Sequence, residues 1–329
     1  MLSIEYARYK LTSGILRAVI RQNPKQKYEI ENIMERWFMS MYTASEKVLS
    51  KSDEKTSYNI KAVNELLEKR VFRNRSDAQS FFNVQCIGVV NHFLNNDTPT
   101  YRGKCVVEKD HIKFIDFKTN IDPSILSKLK KRASPKQIIV MVLRYATILS
   151  KSQQWSIPTL QYDNLYTNYG ARYEGFASPL NSKMLGRRGA SFCSAFYDTD
   201  KVFGSIGSFF DVNLGSPKDS KVDNPVWVIN PPFIEKIMIQ TGNRIMQHVN
   251  EYSTLMVYLV IPAWRDMGIY QTLKKYEHTA YSTTLTKSQY YYENNSQLIL
   301  AKFDTAVFVL TQRTDIDYTH INDGFVLQY

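Results

Sequence analysis

Val226-Trp227-Val228-Ile229-Asn230-Pro231-Pro232-Phe233 changes character twice within eight residues. The first four are apolar without polar alternation, the pattern of a strand covered on both faces. Two prolines then fix φ and withdraw their N–H donors, which ends the strand. Ile234, Ile237 and Met238, with Glu235 in the first turn, start a helical spacing at once. Leu255–Ile261 is a second run of the covered kind. Tyr173–Ala177, Phe192–Phe196 and Thr305–Leu310 are further short apolar runs between turns. Covered strands alternating with helical stretches predict a doubly wound α/β sheet over residues 156–329. In such a sheet, ligands bind beyond the carboxyl ends of the strands.

Residues 1–155 have another texture and predict a mostly helical domain. Ile30, Ile33, Met34, Trp37, Phe38, Met41 and Tyr42 fall at helical spacing over Tyr28–Leu49, with Pro24 closing the segment before. Ile60, Val63, Leu66, Leu67 and Val71 repeat the spacing. Ser76 and Gln79 read as a capping box for a helix through Phe81, Phe82, Ile87 and Phe93. Cys105–Val107 and Ile112–Phe117, parted by Glu108-Lys109-Asp110, predict a β-hairpin. Asp122-Pro123 and Ser134-Pro135 each place a capping side chain before proline at the first helical position.

Charge follows the same division. The net charge is +11, and all of it lies in residues 1–150, which hold 26 Lys+Arg against 15 Asp+Glu; residues 151–329 hold 16 of each. A basic half joined to a neutral one suits a polyanion such as RNA, because phosphate neutralisation supplies most sequence-independent affinity. Hydrophobic residues make up 43% of the chain and aromatics 13%, enough for a proper core. Cys86, Cys105 and Cys193 are too few and too scattered for a zinc site or a disulfide framework, so no metal and a reducing compartment are expected. No apolar run reaches membrane-spanning length.

The residues at 230–233 have a chemistry in common. An exocyclic amine of a nucleobase is a poor nucleophile, because its lone pair is delocalised into the ring. The Asn230 side-chain oxygen and the Pro231 carbonyl offer two acceptors for its N–H groups. Prolines 231 and 232 hold those acceptors in place beforehand. Phe233 offers a face for an extruded base. Upstream, Tyr173–Asn181 runs from a strand into a small-residue loop. There Glu174, Phe176, Ala177, Ser178 and Pro179 are candidates to meet a nucleotide-like cofactor at close range. Asp198 or Asp200 follows at about the spacing of a ribose-binding acid, and Asp211 is a candidate for the cofactor's adenine amine.

The blocks YEGFASPLN, FCSAFYDTDKVFGSIGSFFD, NPPF and IPAWR, in that order between Arg144 and Gln312, resemble the family of cap-specific adenosine N6-methyltransferases, the phosphorylated-CTD-interacting factors. The resemblance implies a Rossmann-like class I methyltransferase sheet after a helical domain, with S-adenosyl-L-methionine as donor. The implied substrate is the 2'-O-methyladenosine beside the 7-methylguanosine cap of mRNA. It also implies catalysis at Asn230 and base stacking at Phe233, and a nuclear or cytoplasmic location. Nothing in residues 1–60 resembles the WW domain by which the animal enzymes contact polymerase, so a tether to RNA polymerase II is not expected.

Trp264 and Arg265, after the strand at Leu255–Ile261, are candidates for a base or cap and a phosphate. Arg70, Arg73 and Arg75 are candidates for phosphate contacts. The run Lys128, Lys130, Lys131, Arg132 reads as a solvated helix end. An adenine methyltransferase acting on DNA or internal RNA, and an inactive RNA-binding subunit, remain as alternatives.

Overall fold

Helices begin where the sequence caps them. The Asp122 carboxylate accepts from the Ser124 and Ile125 N–H groups and opens Pro123–Lys130, while Ser134 and Gln137 close a full capping box before Pro135–Thr147. The computed structural model of the chain describes residues 1–47, 61–82, 84, 100–148, 155–217, 222–294 and 297–325. Ile60, Cys86, Ile87, Phe93 and residues 149–154 of the expected boundary lie outside them.

Two compact units are present: Met1–Asn120 with Ser134–Ser152, and Ile121–Ala133 with Gln153–Tyr329. The first is built from α1 (Leu2–Gln22), α2 (Lys27–Lys47), α3 (61–68), α4 (75–82) and α6 (Pro135–Thr147). Ile30, Ile33, Met34, Trp37 and Phe38 bury the predicted face of α2 against Val63, Leu66 and Phe82. The cap of α4 is displaced from its predicted place. Asn74 Oδ1 accepts from the Asp77 N–H at 2.9 Å, and Arg75 is already helical, so Ser76 lies inside the helix. The predicted hairpin is a three-stranded sheet, β1 (Val106–Glu108), β2 (His111–Phe114) and β3 (Phe117–Asn120). Ile115 takes φ 55° and breaks the expected strand 112–117 at a tight turn. Asp116 in that turn is held to α1 by Tyr6 and by Lys10 Nζ at 2.6 Å.

The second unit carries a six-stranded sheet. Its strands are β4 (Tyr173–Ala177), β5 (Ser191–Ser194), β6 (Val226–Ile229), β7 (Met256–Pro262), β8 (Thr279–Leu285) and β11 (Thr305–Thr311), in the order β5-β4-β6-β7-β11-β8. β5, β4, β6 and β7 pair in parallel, as the covered runs predict. β11 does not: it runs antiparallel between β7 and β8, so the sheet is mixed. Between β8 and β11 a separate hairpin is inserted, β9 (Tyr291–Asn294) and β10 (Gln297–Leu300).

Alternate residues of the strands serve two cores. Trp227, Ile229, Val257, Leu259 and Phe308 face α9 (Glu235–Glu251) and α10 (Gly268–Lys275). Val226, Val228, Tyr258, Val260 and Val309 face Tyr162 and Leu165 of α7 (Thr159–Asn168). Burial on both faces explains why these strands lack polar alternation. No helix of the described residues is long and apolar enough to cross a membrane.

Candidate active site

Because β4, β5, β6 and β7 are parallel, their carboxyl ends share one edge of the sheet. That edge receives Ala177–Pro179 after β4, Asp198 after β5, Asn230–Phe233 after β6 and Trp264–Arg265 after β7. Antiparallel β11 starts at the same edge, since Thr305 is in register with Pro262. It therefore brings Phe303 and Asp304 there, and the Asp304 carbonyl accepts from the Ala263 N–H at 2.8 Å.

Asn230 is fixed from below. Its Nδ2 donates to the Val260 carbonyl of β7 at 3.0 Å, which leaves Oδ1 with no donor among the described residues. The amide orientation follows from that contact, because only the nitrogen can donate to a carbonyl. Pro231 is buried, and the Pro232 carbonyl accepts from Ile234 N–H at 2.7 Å, closing the turn into α9. Phe233 is half-buried, with Phe303 at 5.5 Å and 88° and Tyr292 at 6.0 Å and 70°. Such perpendicular ring contacts are each worth ~0.5–1.5 kcal/mol beyond area burial. Tyr292 is itself anchored by its hydroxyl to Thr305 Oγ1 at 2.8 Å.

A family model described as "Phosphorylated CTD interacting factor 1 WW domain" matches residues 124–295, which hold the first five strands of the sheet. The chain belongs to that family. Two relatives are the proteins named "mRNA (2'-O-methyladenosine-N(6)-)-methyltransferase" from Homo sapiens and Mus musculus, 33% and 32% identical over 116 residues. The matched stretch is 34% of this chain and spans 14% of the length of each relative.

Within this member of the family, the acids singled out from the sequence divide into inward and outward groups. Glu174 on β4 is buried. Its carboxylate accepts from Tyr162 Oη at 2.7 Å, Ser182 Oγ at 2.8 Å, and the N–H groups of Lys183 and Met184 at 3.0 and 3.3 Å. Burial raises its pKa above the ordinary 4.5, and those hydrogen bonds pull the other way. Asp200 is fully buried and accepts from Thr199 Oγ1 at 2.9 Å. Asp198 and Asp211 are exposed.

The loop that carries Asp211 is tied down by two residues the sequence did not single out. Arg244 of α9 donates to the Phe209 and Val212 carbonyls at 3.1 and 2.7 Å, and Trp227 Nε1 donates to the Leu214 carbonyl at 2.8 Å. Phe176 packs on Phe209 at 4.7 Å. Gly175 sits at a close approach: a Cβ there would lie 3.0 Å from Ile229 and 3.2 Å from Phe209, so those side chains would have to give by a few tenths of an ångström. Ser178 and Pro179 are buried; the Asn181 side-chain oxygen accepts from Ser178 N–H at 2.7 Å and holds their loop. Trp264 is 41% exposed and Arg265 is exposed beside it. Arg70, Arg73 and Arg75 stand on the first unit, exposed around the start of α4. Among the described residues no cluster of His, Cys, Asp and Glu suits a metal ion.

Proposed function

We propose that this protein transfers a methyl group from S-adenosyl-L-methionine to N6 of adenosine in RNA, at the 2'-O-methyladenosine beside the 7-methylguanosine cap. The observation that carries the reading is Asn230, set at the carboxyl end of a covered parallel strand with Nδ2 spent on Val260 and Oδ1 left without a donor among the described residues. The names of the relatives, which describe those proteins, support the same chemistry.

The sheet order supports a Rossmann-like class I methyltransferase. From β4 the chain passes to β5 on one side and later to β6 on the other, so β4/β6 is a switch point, where such sheets open a crevice for a ligand. The donor set fits the cofactor. Ala177, Ser178 and Pro179 border the end of β4, and Asp198 and Asp211 offer outward carboxylates for hydroxyl and amine groups. Glu174 braces the loop after β4 from inside, Asp200 is buried beside Thr199, and Phe176 offers a ring to the adenine. When bound, the cofactor supplies an electrophilic methyl group on a sulfonium.

The chain's own residues prepare the nucleophile. Asn230 Oδ1 and the Pro231 carbonyl accept hydrogen bonds from the two N6–H groups, which draws the amine towards a tetrahedral shape and localises its lone pair; after the methyl joins, one N6 proton is released to solvent. Both acceptors are in place before the base arrives, so no reorganisation is needed during reaction. Phe233 stacks on the base, Trp264 and Arg265 receive the cap and its phosphates, and Arg70, Arg73 and Arg75 hold the RNA backbone.

The test is incubation with radiolabelled S-adenosylmethionine and RNAs beginning with adenosine, either capped and 2'-O-methylated or carrying a 5'-triphosphate, followed by nucleoside analysis. N6-methyladenosine should form much faster on the capped RNA. Equal rates on capped RNA, uncapped RNA and DNA would replace the cap-specific reading with that of a general adenine methyltransferase.

A further inference from the structure

The second unit gathers cations where like charges repel. The Lys128 stem of α5 (Pro123–Lys130) lies over Gly186, its Cγ and Cδ 3.7 Å from where a Cβ would stand. Just past the helix, Arg132 brings Nη1 within 3.5 Å of the same point on Gly204. Both glycines have positive φ, 86° and 106°, and their bare backbone leaves room for a long stem to lie flat.

Lys183 and Arg187 stand close to Lys128. Lys128 is exposed as a whole residue, and its ammonium is held below its ordinary pKa first by partial desolvation, then by repulsion from Arg187 and Lys183, against a pull from Asp122 and Asp163. Lys183 is paired with Glu293, and Arg187 with Asp163 at 2.6 Å. Lys128 and Arg132 form no ion pair with a described residue. Lys130 and Lys131, beside them in the chain, and Arg188, after Arg187, are exposed as well. A fold that maintains this repulsion gains when an anion arrives, and a row of cations suits a chain of phosphates better than a single one.

We propose that Lys128 and Arg132, flanked by Lys183 and Arg187 on the β4–β5 crossover, form a surface that receives the phosphodiester backbone of the RNA strand. The sequence run at 128–132 is thus a binding surface rather than a solvated helix end. This inference rests on the RNA reading above, and it places phosphate contacts on the unit that carries Asn230.

The experiment measures binding of a fluorescein-labelled RNA oligonucleotide to the full chain across a series of KCl concentrations. K128Q/R132Q should bind several-fold more weakly, with the slope of log K against log salt smaller by about 0.7 for each phosphate contact removed. K128R/R132K should restore both, which excludes misfolding, and K274Q/K275Q on α10 should change neither. An unchanged slope in K128Q/R132Q, or an equal loss in K274Q/K275Q, would overturn the surface. Methyl transfer, assayed on the same preparations, separates the two readings. An unchanged slope in protein that still methylates RNA defeats this surface alone. A reduced slope in protein whose parent methylates nothing supports the surface and defeats the reaction.

Discussion

The two edges of the six-stranded sheet differ in a way that cavity size alone would misjudge. At the amino edge, a groove of about 1070 Å³ opens beside Met256 and the end of α7; its lining includes Asp163, Asp315, Asp317 and Asp323. These acids are occupied: Asp163 by Arg187, Asp315 by Arg313, Asp317 by Thr319 and Asp323 by His320. At the carboxyl edge, Asn230 keeps a fixed acceptor with no donor among the described residues. A polar group that is held and left unsatisfied marks a candidate site better than a hollow whose acids are all paired.

The strongest break between the edges should come from Asn230→Ala. Loss of one preorganised acceptor costs about 10²–10³ in kcat, measured as methyl transfer at saturating RNA, with thermal unfolding little changed. Near-normal turnover would remove the amine-activation scheme. Phe233→Ala should lose about 1–3 kcal/mol of base stacking, read as a raised KM for RNA. A parental KM would mean that the ring held by Phe303 and Tyr292 serves packing alone.

Trp264→Ala sharpens the substrate question at the same edge. It should slow methylation of capped RNA more than of triphosphate RNA and so narrow their ratio severalfold; a constant ratio would leave the cap without this partner. Glu174→Gln tests the brace beneath the edge. Burial raises the Glu174 pKa, so the folded chain binds that proton more tightly than the unfolded chain. The resulting stabilisation is full below the ordinary 4.5 and is lost as pH rises through the folded value. The stability of the parent relative to Glu174→Gln, followed by denaturant melts, should therefore fall from pH 4 to neutrality. A gap constant with pH would contradict the buried, proton-favouring setting. At the far edge, Asp315→Asn with Asp317→Asn should leave methyl transfer within about twofold, the range expected of surface substitutions. A large loss there would give the groove a part in the reaction.

Much of this was legible because the signals are local. Unbroken apolar runs reported the covered strands at 226–229 and 256–262, and Asp122 and Ser134 announced their helices. What stayed hidden depends on the third dimension. Ile115 adopts a left-handed turn that its side chain disfavours, so one strand read from the sequence became two. Nothing in Thr305–Thr311 tells that the strand runs backwards, and hence nothing flagged Phe303 as a neighbour of Phe233. Glu174 resembled the exposed acids in sequence, but two hydroxyls, of Tyr162 and Ser182, and two backbone N–H groups, of Lys183 and Met184, satisfy it inside. Ser76 and Gln79 fit a capping pattern that Asn74 and Asp77 fulfil two residues earlier.

Leu285 and Thr305 are direct register partners. The β9–β10 hairpin between them thus leaves and re-enters the sheet at a single rung. Lengthening such an excursion costs only about 0.6 kcal/mol per doubling. The wall carrying Phe303 is in this sense a cassette. A different length between Leu285 and Thr305 would alter the wall beside Phe233 while every strand of the sheet keeps its register.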